Sequence, residues 1–536
     1  MHANRERLPE ERSFGRLWLP MALLGAAMLA AAIWFRVAGL LGESMWLDEA
    51  YSAYAASKGF DFLWHVVPRY ETHPPFYYSL LRLWTLLWGD SLGGLRSLGI
   101  VCGIATLPVI LLAAREMARL LRFDSKRTAW LMLAALALAA FSQSLVEMSR
   151  EVRPYPVLIL VYATTIFAIL RLGRQMRDGD GVAGGAYLLY LADLTATLWL
   201  HNLGPLYALA LGIAMAALVL RPGLDRRDRL WLAGGHLAVA LAWLPALLIL
   251  IDQAPTWVSS TWLKFDWDKM ESRLAVLYAV QGRSYEIVAA LLALLAMVAL
   301  IATKGGWRIA LALAALAFVP VALSIGLSLW VAPVFIMRTM TAVSVPAALL
   351  LAVGATGLRG LWRWPAMGAL LLIVSQLIVM DIHARRGGAM QDWYGTVRWL
   401  DQRFRPGDIV YAYPNEGALP FDYAVRDLKL KLPSRSVPTP IPSLDVGGWH
   451  PTGSRGVVSL PRDRLRAIAR SPQAGAVPTI WLLRLGPWAY DKGDVFLDEL
   501  SHDRARVGHW KSGPIDIIGL RRRDLPPVAA SQQPQP

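Results

Sequence analysis

The chain alternates between long apolar blocks and short polar connections rich in arginine. A helix needs about 20 mostly apolar residues to cross a bilayer, with tolerance for somewhat shorter pieces. Eleven blocks qualify: residues 17–41, 91–114, 128–146, 154–170, 184–200, 203–220, 230–251, 285–302, 309–331, 339–357 and 364–380. Every second connection carries a basic cluster, such as Arg115, Arg119, Arg122, Lys126 and Arg127, or Arg221, Arg226, Arg227 and Arg229. With residues 1–16 placed inside, all these clusters fall on the same side, as the positive-inside rule requires. The piece 75–89 is excluded from the count. At about fourteen residues it is short for a span. If it crossed, the Arg115–Arg127 cluster would move to the outside, so it reads as an interfacial helix. The block 17–41 is too long for a signal peptide and lacks a small-residue cleavage site, so 1–16 reads as a cytoplasmic tail.

After residue 381 the apolar runs stop, and Gly, Pro and charged residues rise. After the turn Arg405-Pro406-Gly407, residues 408–413 alternate like a strand; 479–485 and 515–520 also read as strands, 392–404 has helical spacing and 494–501 reads as a helix. Residues 382–525 are read as a small extracytoplasmic α/β domain, and 526–536 (ending Gln-Gln-Pro-Gln-Pro) as a disordered tail. The expected fold class is a polytopic α-helical membrane protein with that α/β domain at its carboxyl end. A transmembrane module fills 17–381, with an external loop at 42–90.

Composition agrees. Of 536 residues, 56% are hydrophobic and 17% charged, against about 45–50% and 25% in soluble domains. The 23 tryptophans suit membrane interfaces. A net charge of +15 would suit nucleic acid, but its placement in short loops follows from topology instead. The single cysteine, Cys102, excludes an intrachain disulfide and a thiolate metal cluster. No P-loop, Rossmann glycine pattern or HExxH is present, so nucleotide-driven chemistry is not supported.

The candidate chemistry lies at the outer ends of the spans, where ionisable residues are costly and face cavities. Asp48 and Glu49 follow the first block. Helical neighbours point about 100° apart, so one would serve as base and the other would position it or grip an acceptor; the alternative is a helix N-cap. His73 precedes two prolines in the stiff stretch His73-Pro74-Pro75-Phe76-Tyr77-Tyr78. Glu151 and Arg153 stand at the external turn Ser149–Tyr155, where Pro154 suits a first helical position. Arg153 and Arg338 are placed to bind a phosphate head group bidentately, or else to snorkel to lipid. His201 marks another external turn. Arg36 either snorkels or faces the site.

These stretches, together with Leu47-Asp48-Glu49-Ala50, Glu151-Val152-Arg153-Pro154-Tyr155, and Arg338 followed by Pro346, resemble the bacterial family 39 glycosyltransferases of GT-C type. That family is related to the protein O-mannosyltransferases and the aminoarabinose lipid A transferases. The likeness runs from about Trp46 to Tyr423. Asn202 and Thr339 stand where many relatives have Tyr. The resemblance implies an inverting transfer of a monosaccharide, hexosyl or pentosyl, from a polyprenyl-phosphate-linked donor to a lipid, glycan or protein acceptor. Asp48 maps to the catalytic acid position and Glu49 to the second acid. Arg153 and Arg338 would bind the donor phosphate, and His73, Tyr77, Glu151, Tyr155 and His201 would contact substrate. No cofactor is certain; a divalent metal held by Asp48 and Glu151 is compatible with this chemistry, but no ligand spacing establishes one. A bacterial inner membrane is implied, with the amino terminus cytoplasmic. A transporter or flippase of a lipid-linked substrate, and a structural partner in a cell-envelope complex, are the competing readings. The absence of an internal repeat and of evident mid-membrane charges counts against the transporter.

Overall fold

The computed structural model describes residues 9–71, 73–260, 265–278, 280–358, 360–386, 390–444 and 459–526. The first half of the expected cytoplasmic tail and the expected disordered tail beyond Pro526 lie outside the described residues.

In chain order, α1 (Pro9–Val37) is followed by the two short helices α2 (Leu47–Ser57) and α3 (Phe76–Trp88). Then come α4 (Leu92–Leu120), α5 (Ser125–Ala140), α6 (Gln143–Ser149), α7 (Tyr155–Asp178), α8 (Gly185–Leu200) and α9 (Gly204–Val219). The series continues with α10 (Arg226–Ser260), α11 (Trp267–Leu277), α12 (Arg283–Ile301), α13 (Gly306–Trp330), α14 (Ser344–Thr356) and α15 (Arg363–Arg386). Among the described residues, eight helices are long and apolar enough to cross a membrane; the α5–α6 pair, bent by 59°, makes a ninth. The two shorter apolar helices α8 and α9 complete the eleven blocks read from the sequence. Helix α3 has only 13 residues. It buries Tyr77, Tyr78 and Leu81 while exposing Leu83, Leu86, Leu87 and Trp88, the one-sided pattern of an interfacial helix.

The connection 252–283, between the blocks 230–251 and 285–302, falls on the external side in the expected topology; it is largely helical, since α10 runs on to Ser260 and α11 fills Trp267–Leu277. A second difference is the start of the span expected at 339. Residues Met337–Val343 form a tight 3-10 turn before α14 begins at Ser344. Its fixing bonds are local and tertiary, Thr341 Oγ1 to Arg338 O at 3.1 Å and Tyr207 Oη to Thr339 O at 2.7 Å, and hydropathy cannot register either.

Packing of the described residues divides the chain into two compact units. The first comprises Met1–Leu40, Arg96–Asp252 and Thr261–Arg386 and holds the bulk of the apolar helices. The second comprises Leu41–Leu95, Gln253–Ser260 and Gly387–Pro536. It joins the loop carrying α2 and α3 to the carboxyl-terminal α/β fold.

In that α/β fold, α16 (Trp393–Asp401) begins at Asp392, whose side chain accepts the Gly395 N–H, a standard N-cap. Strand β1 (Ile409–Tyr413) leads through α17 (Ala418–Asp427) to β2 (Ser434–Ser436). Helices α18 (Arg462–Ala469) and α19 (Pro472–Ala476) precede β3 (Thr479–Leu485). Helices α20 (Pro487–Tyr490) and α21 (Val495–Ser501) precede β4 (Arg504–Ser512) and β5 (Ile515–Arg522). The sheet order is β2-β1-β3-β5-β4; β1, β2 and β3 are parallel, and β5 is antiparallel to both β3 and β4. One face buries Tyr411, Tyr413, Ile480, Leu482, Phe496, Leu500 and Ile518. On the other, Trp481 meets Trp399 edge-on, and Trp399 stacks on Trp510. Gly519 lies under the Trp481 ring, where a Cβ would collide with it.

Candidate active site

In the first unit, the turn between α6 and α7 carries Arg153. The break at Phe141–Ser142 turns α6 away from α5, and Pro154 starts α7 with its ring fixed at a helical φ. Tyr155 is therefore the first residue of α7, and it is buried. Three predicted residues gather around it. The Arg153 guanidinium, only 2% exposed, stands 5.7 Å from the ring centroid. Arg338, half-buried on the 3-10 turn, donates from Nε to Tyr155 Oη at 3.2 Å. The His201 ring lies 6.1 Å from the Tyr155 ring.

His201 ends α8 in an extended conformation, and its Nδ1 accepts the Leu203 N–H at 3.0 Å. An Nδ1 used as acceptor leaves the ring proton on Nε2, so His201 presents an N–H donor. Two guanidiniums, a phenol and an imidazole N–H thus lie together around one helix start. Such a set is chemically an oxyanion receptor. Glu151 lies on the same turn, half-buried, two residues before Arg153.

Other arginines of this unit have structural work. Arg36, read as snorkelling or facing the site, is buried instead, with Nη1 donating to Ala32 O and Ala140 O at 3.1 Å each. Arg150 and Arg385 both donate to Ala38 O, at 2.8 and 2.9 Å, and Arg96 to Leu40 O at 2.6 Å. These cations satisfy carbonyls at the end of α5 and in the turn just after α1.

In the second unit, Asp48 and Glu49 occupy the second and third positions of α2, and Trp46 is the residue before the helix. The alternative of Asp48 as N-cap therefore does not hold. Glu49, 1% exposed, takes part of that role: its Oε2 accepts the Trp46 N–H at 3.3 Å. The adjacent Leu47 N–H donates to Gln391 Oε1 at 3.1 Å. Gln391 Oε1 also accepts from Trp393 Nε1, and Ser44 Oγ links Gln391 O with Trp393 N. The start of α2 is thus fastened to the chain entering α16. Asp48 is half-buried beside this fastening, and its own carbonyl accepts from Ser52 Oγ.

His73 is held by Glu71, a buried carboxylate absent from the sequence reading. Glu71 Oε1 accepts from His73 Nδ1 at 2.9 Å and from the His73 backbone at 3.3 Å. Its signal was a carboxylate two residues before a histidine ahead of two prolines, a spacing short enough for the side chain to reach back. Tyr51 Oη pairs with Tyr70 Oη at 2.8 Å, and Tyr78 packs edge-on against Tyr51. Burial first, then the neighbouring Glu71, pushes the Tyr51 phenol well above its ordinary value, so it stays neutral. Tyr77 is buried against Tyr78. The structure therefore brings Arg153, Tyr155, His201 and Arg338 together in one unit, while Asp48, Glu49, His73 and Tyr77 belong to the other. Among the described residues, no three His, Cys, Asp or Glu side chains come close enough to hold a metal ion.

No family model matches the sequence, and no curated protein matches it. Solved structures do. ArnT from Cupriavidus metallidurans in the apo state aligns at a TM-score of 0.55 and 14% identity, over 95% of this chain and 98% of its own. The same protein bound to undecaprenyl phosphate aligns at 0.57 and 14% identity, over 97% and 99%. The chain thus shares its fold with ArnT along nearly its whole length.

Proposed function

We propose that this chain is a membrane glycosyltransferase that moves a monosaccharide from a polyprenyl-phosphate-linked donor to an extracytoplasmic acceptor with inversion. One observation carries the reading: the Arg153–Tyr155–Arg338–His201 cluster on a fold shared with a protein crystallised with undecaprenyl phosphate. A phosphate monoester needs charge-assisted donors in a fixed fork, and guanidinium groups supply them.

In this reading the Asp48 carboxylate takes the proton from an acceptor hydroxyl or amine. The acceptor atom attacks the anomeric carbon from the face opposite the phosphate. The bond from that carbon to the phosphate oxygen breaks, and its electron pair leaves with polyprenyl phosphate. Arg153 and Arg338 stabilise the charge that develops there, and His201 adds an N–H donor. Phosphate is a good leaving group, so a strong general acid at the leaving oxygen is less needed than in glycoside hydrolysis. Glu49 holds the first turn of α2, and so the direction of Asp48, through its bond to the Trp46 N–H. The multi-pass fold sits in a bacterial inner membrane with its amino terminus cytoplasmic, which puts α2, α3 and the α/β fold outside.

The test is turnover of a defined polyprenyl-phosphate sugar by purified protein in proteoliposomes. Release of polyprenyl phosphate, with the sugar appearing on acceptor or water, supports transfer. Donor lipid moved between leaflets with its sugar intact would instead identify a transporter.

A further inference from the structure

We infer a second lipid site, a groove that takes an anionic phospholipid of the surrounding bilayer, between α8 and the start of α10. The groove has a volume of about 670 Å³ and is lined by Leu191, Leu230, Trp231 and Gly234, with Arg226 and Arg227 at its mouth. It belongs to the first unit but to the opposite end of α8 from the phosphate cluster. Leu191 lies ten residues before His201, which is about 15 Å along a helix.

Two glycines shape it, each differently. Gly235 lets α10 approach α8: a Cβ there would collide with Tyr187 Oη and Leu191. Tyr187 Oη locks that approach by donating to Trp231 O at 2.9 Å. Gly234 has nothing within 4 Å of where a Cβ would stand, so the side chain missing there leaves the groove open.

Charge selects the occupant. Arg226 and Arg227 are exposed in the first turn of α10, where the unpaired N–H groups favour an anion and disfavour a cation. A phosphodiester at the mouth would satisfy both the arginines and the helix end. No carboxylate lines the groove. Asp228, the nearest acid of that turn, faces the other way and accepts the Val182 N–H at 3.0 Å; Asp225, just before the helix, is exposed to solvent. Trp231 sits where an indole prefers to lie, at the boundary between head groups and chains. The apolar floor then suits an acyl chain. An anionic lipid fits this arrangement; a zwitterionic one brings a cationic group to a groove lined by two arginines and no carboxylate.

Native mass spectrometry of the full chain, delipidated and then titrated with phosphatidylglycerol or phosphatidylcholine, tests this. Each basic residue near the surface is worth about fivefold in affinity for an anionic lipid. With two arginines, the wild type should therefore retain phosphatidylglycerol about 25-fold over phosphatidylcholine. Arg226→Gln with Arg227→Gln should erase that preference. Gly234→Leu, which keeps both charges and fills open space, should lower retention of phosphatidylglycerol without lowering the thermal midpoint. Equal retention of both lipids by wild type would overturn the inference, as would a preference that survives both variants. Displacement of phosphatidylglycerol from this groove by undecaprenyl phosphate at equal concentration would overturn it too, in favour of the donor lipid. None of these outcomes bears on the transfer reaction, which uses the other end of the helices.

Discussion

At the scale of single residues, Tyr155 organises the proposed phosphate site. Its phenol oxygen accepts from Arg338, and its ring lies beside Arg153 and His201. A hydrogen bond to a charged group contributes about 1.5–3 kcal/mol. Tyr155→Phe should therefore weaken retention of polyprenyl phosphate by at least tenfold, measured by equilibrium binding of the labelled lipid. Arg153→Lys keeps the charge but loses the planar fork; a loss of similar size is expected in the same assay. Arg150→Lys, at a residue spent on α1 carbonyls, should leave lipid binding unchanged and lower only the thermal midpoint. Equal effects at Arg150 and Arg153 would mean that both are structural.

At the scale of elements, α2 depends on residues far away in sequence. Gln391 supplies the acceptor for the Leu47 N–H, a donor that every helix start leaves unsatisfied. Gln391→Ala should cost about 1 kcal/mol, as lost caps do. It should also speed amide exchange over residues 46–50, read by hydrogen-exchange mass spectrometry, while exchange in β3 stays unchanged. This bond also marks the limit of what the sequence discloses. The long helices were legible because each buries or exposes one apolar surface over many turns. Strand β3 was legible at its full length, since all seven of its residues are apolar or buried. Strand β4 was not: Arg504–Ser512 is an edge strand with most side chains exposed, and its charges, which discourage pairing with other chains, hide its periodicity. In the proposed site, Arg153 and Arg338 could be picked out because each stands at the outer start of a returning block, apart from the basic clusters of the inner connections. Gln391 was not legible, because it acts on the start of α2 from 344 residues away; Glu71 left only the local signal of its spacing to His73.

At the scale of the whole molecule, the α/β fold has its own electrostatic anchor. Glu499 accepts from Arg462 Nε at 2.7 Å and from Arg466 Nε at 3.1 Å. Arg466, with Arg462 beside it, holds this carboxylate down at about 2. A depressed carboxylate contributes stability above its unfolded value, near 4.3–4.5, and loses it as pH falls toward the folded value. The unfolding midpoint of the wild type in urea should therefore drop more steeply between pH 4.5 and about 2 than that of Glu499→Gln. Parallel curves would contradict the pairing. The same unit carries α2, so the proposed base and this domain share one packed body. In the proposed reaction Asp48 removes the acceptor proton during transfer from a polyprenyl-phosphate sugar. The most direct test of this step measures turnover and donor retention together, on wild type and Asp48→Asn, with and without EDTA. General-base loss should lower turnover by about 10²–10⁴-fold, with donor still bound and the thermal midpoint unchanged; sensitivity to EDTA would add a metal to the account. Turnover by Asp48→Asn at the wild-type rate would contradict it.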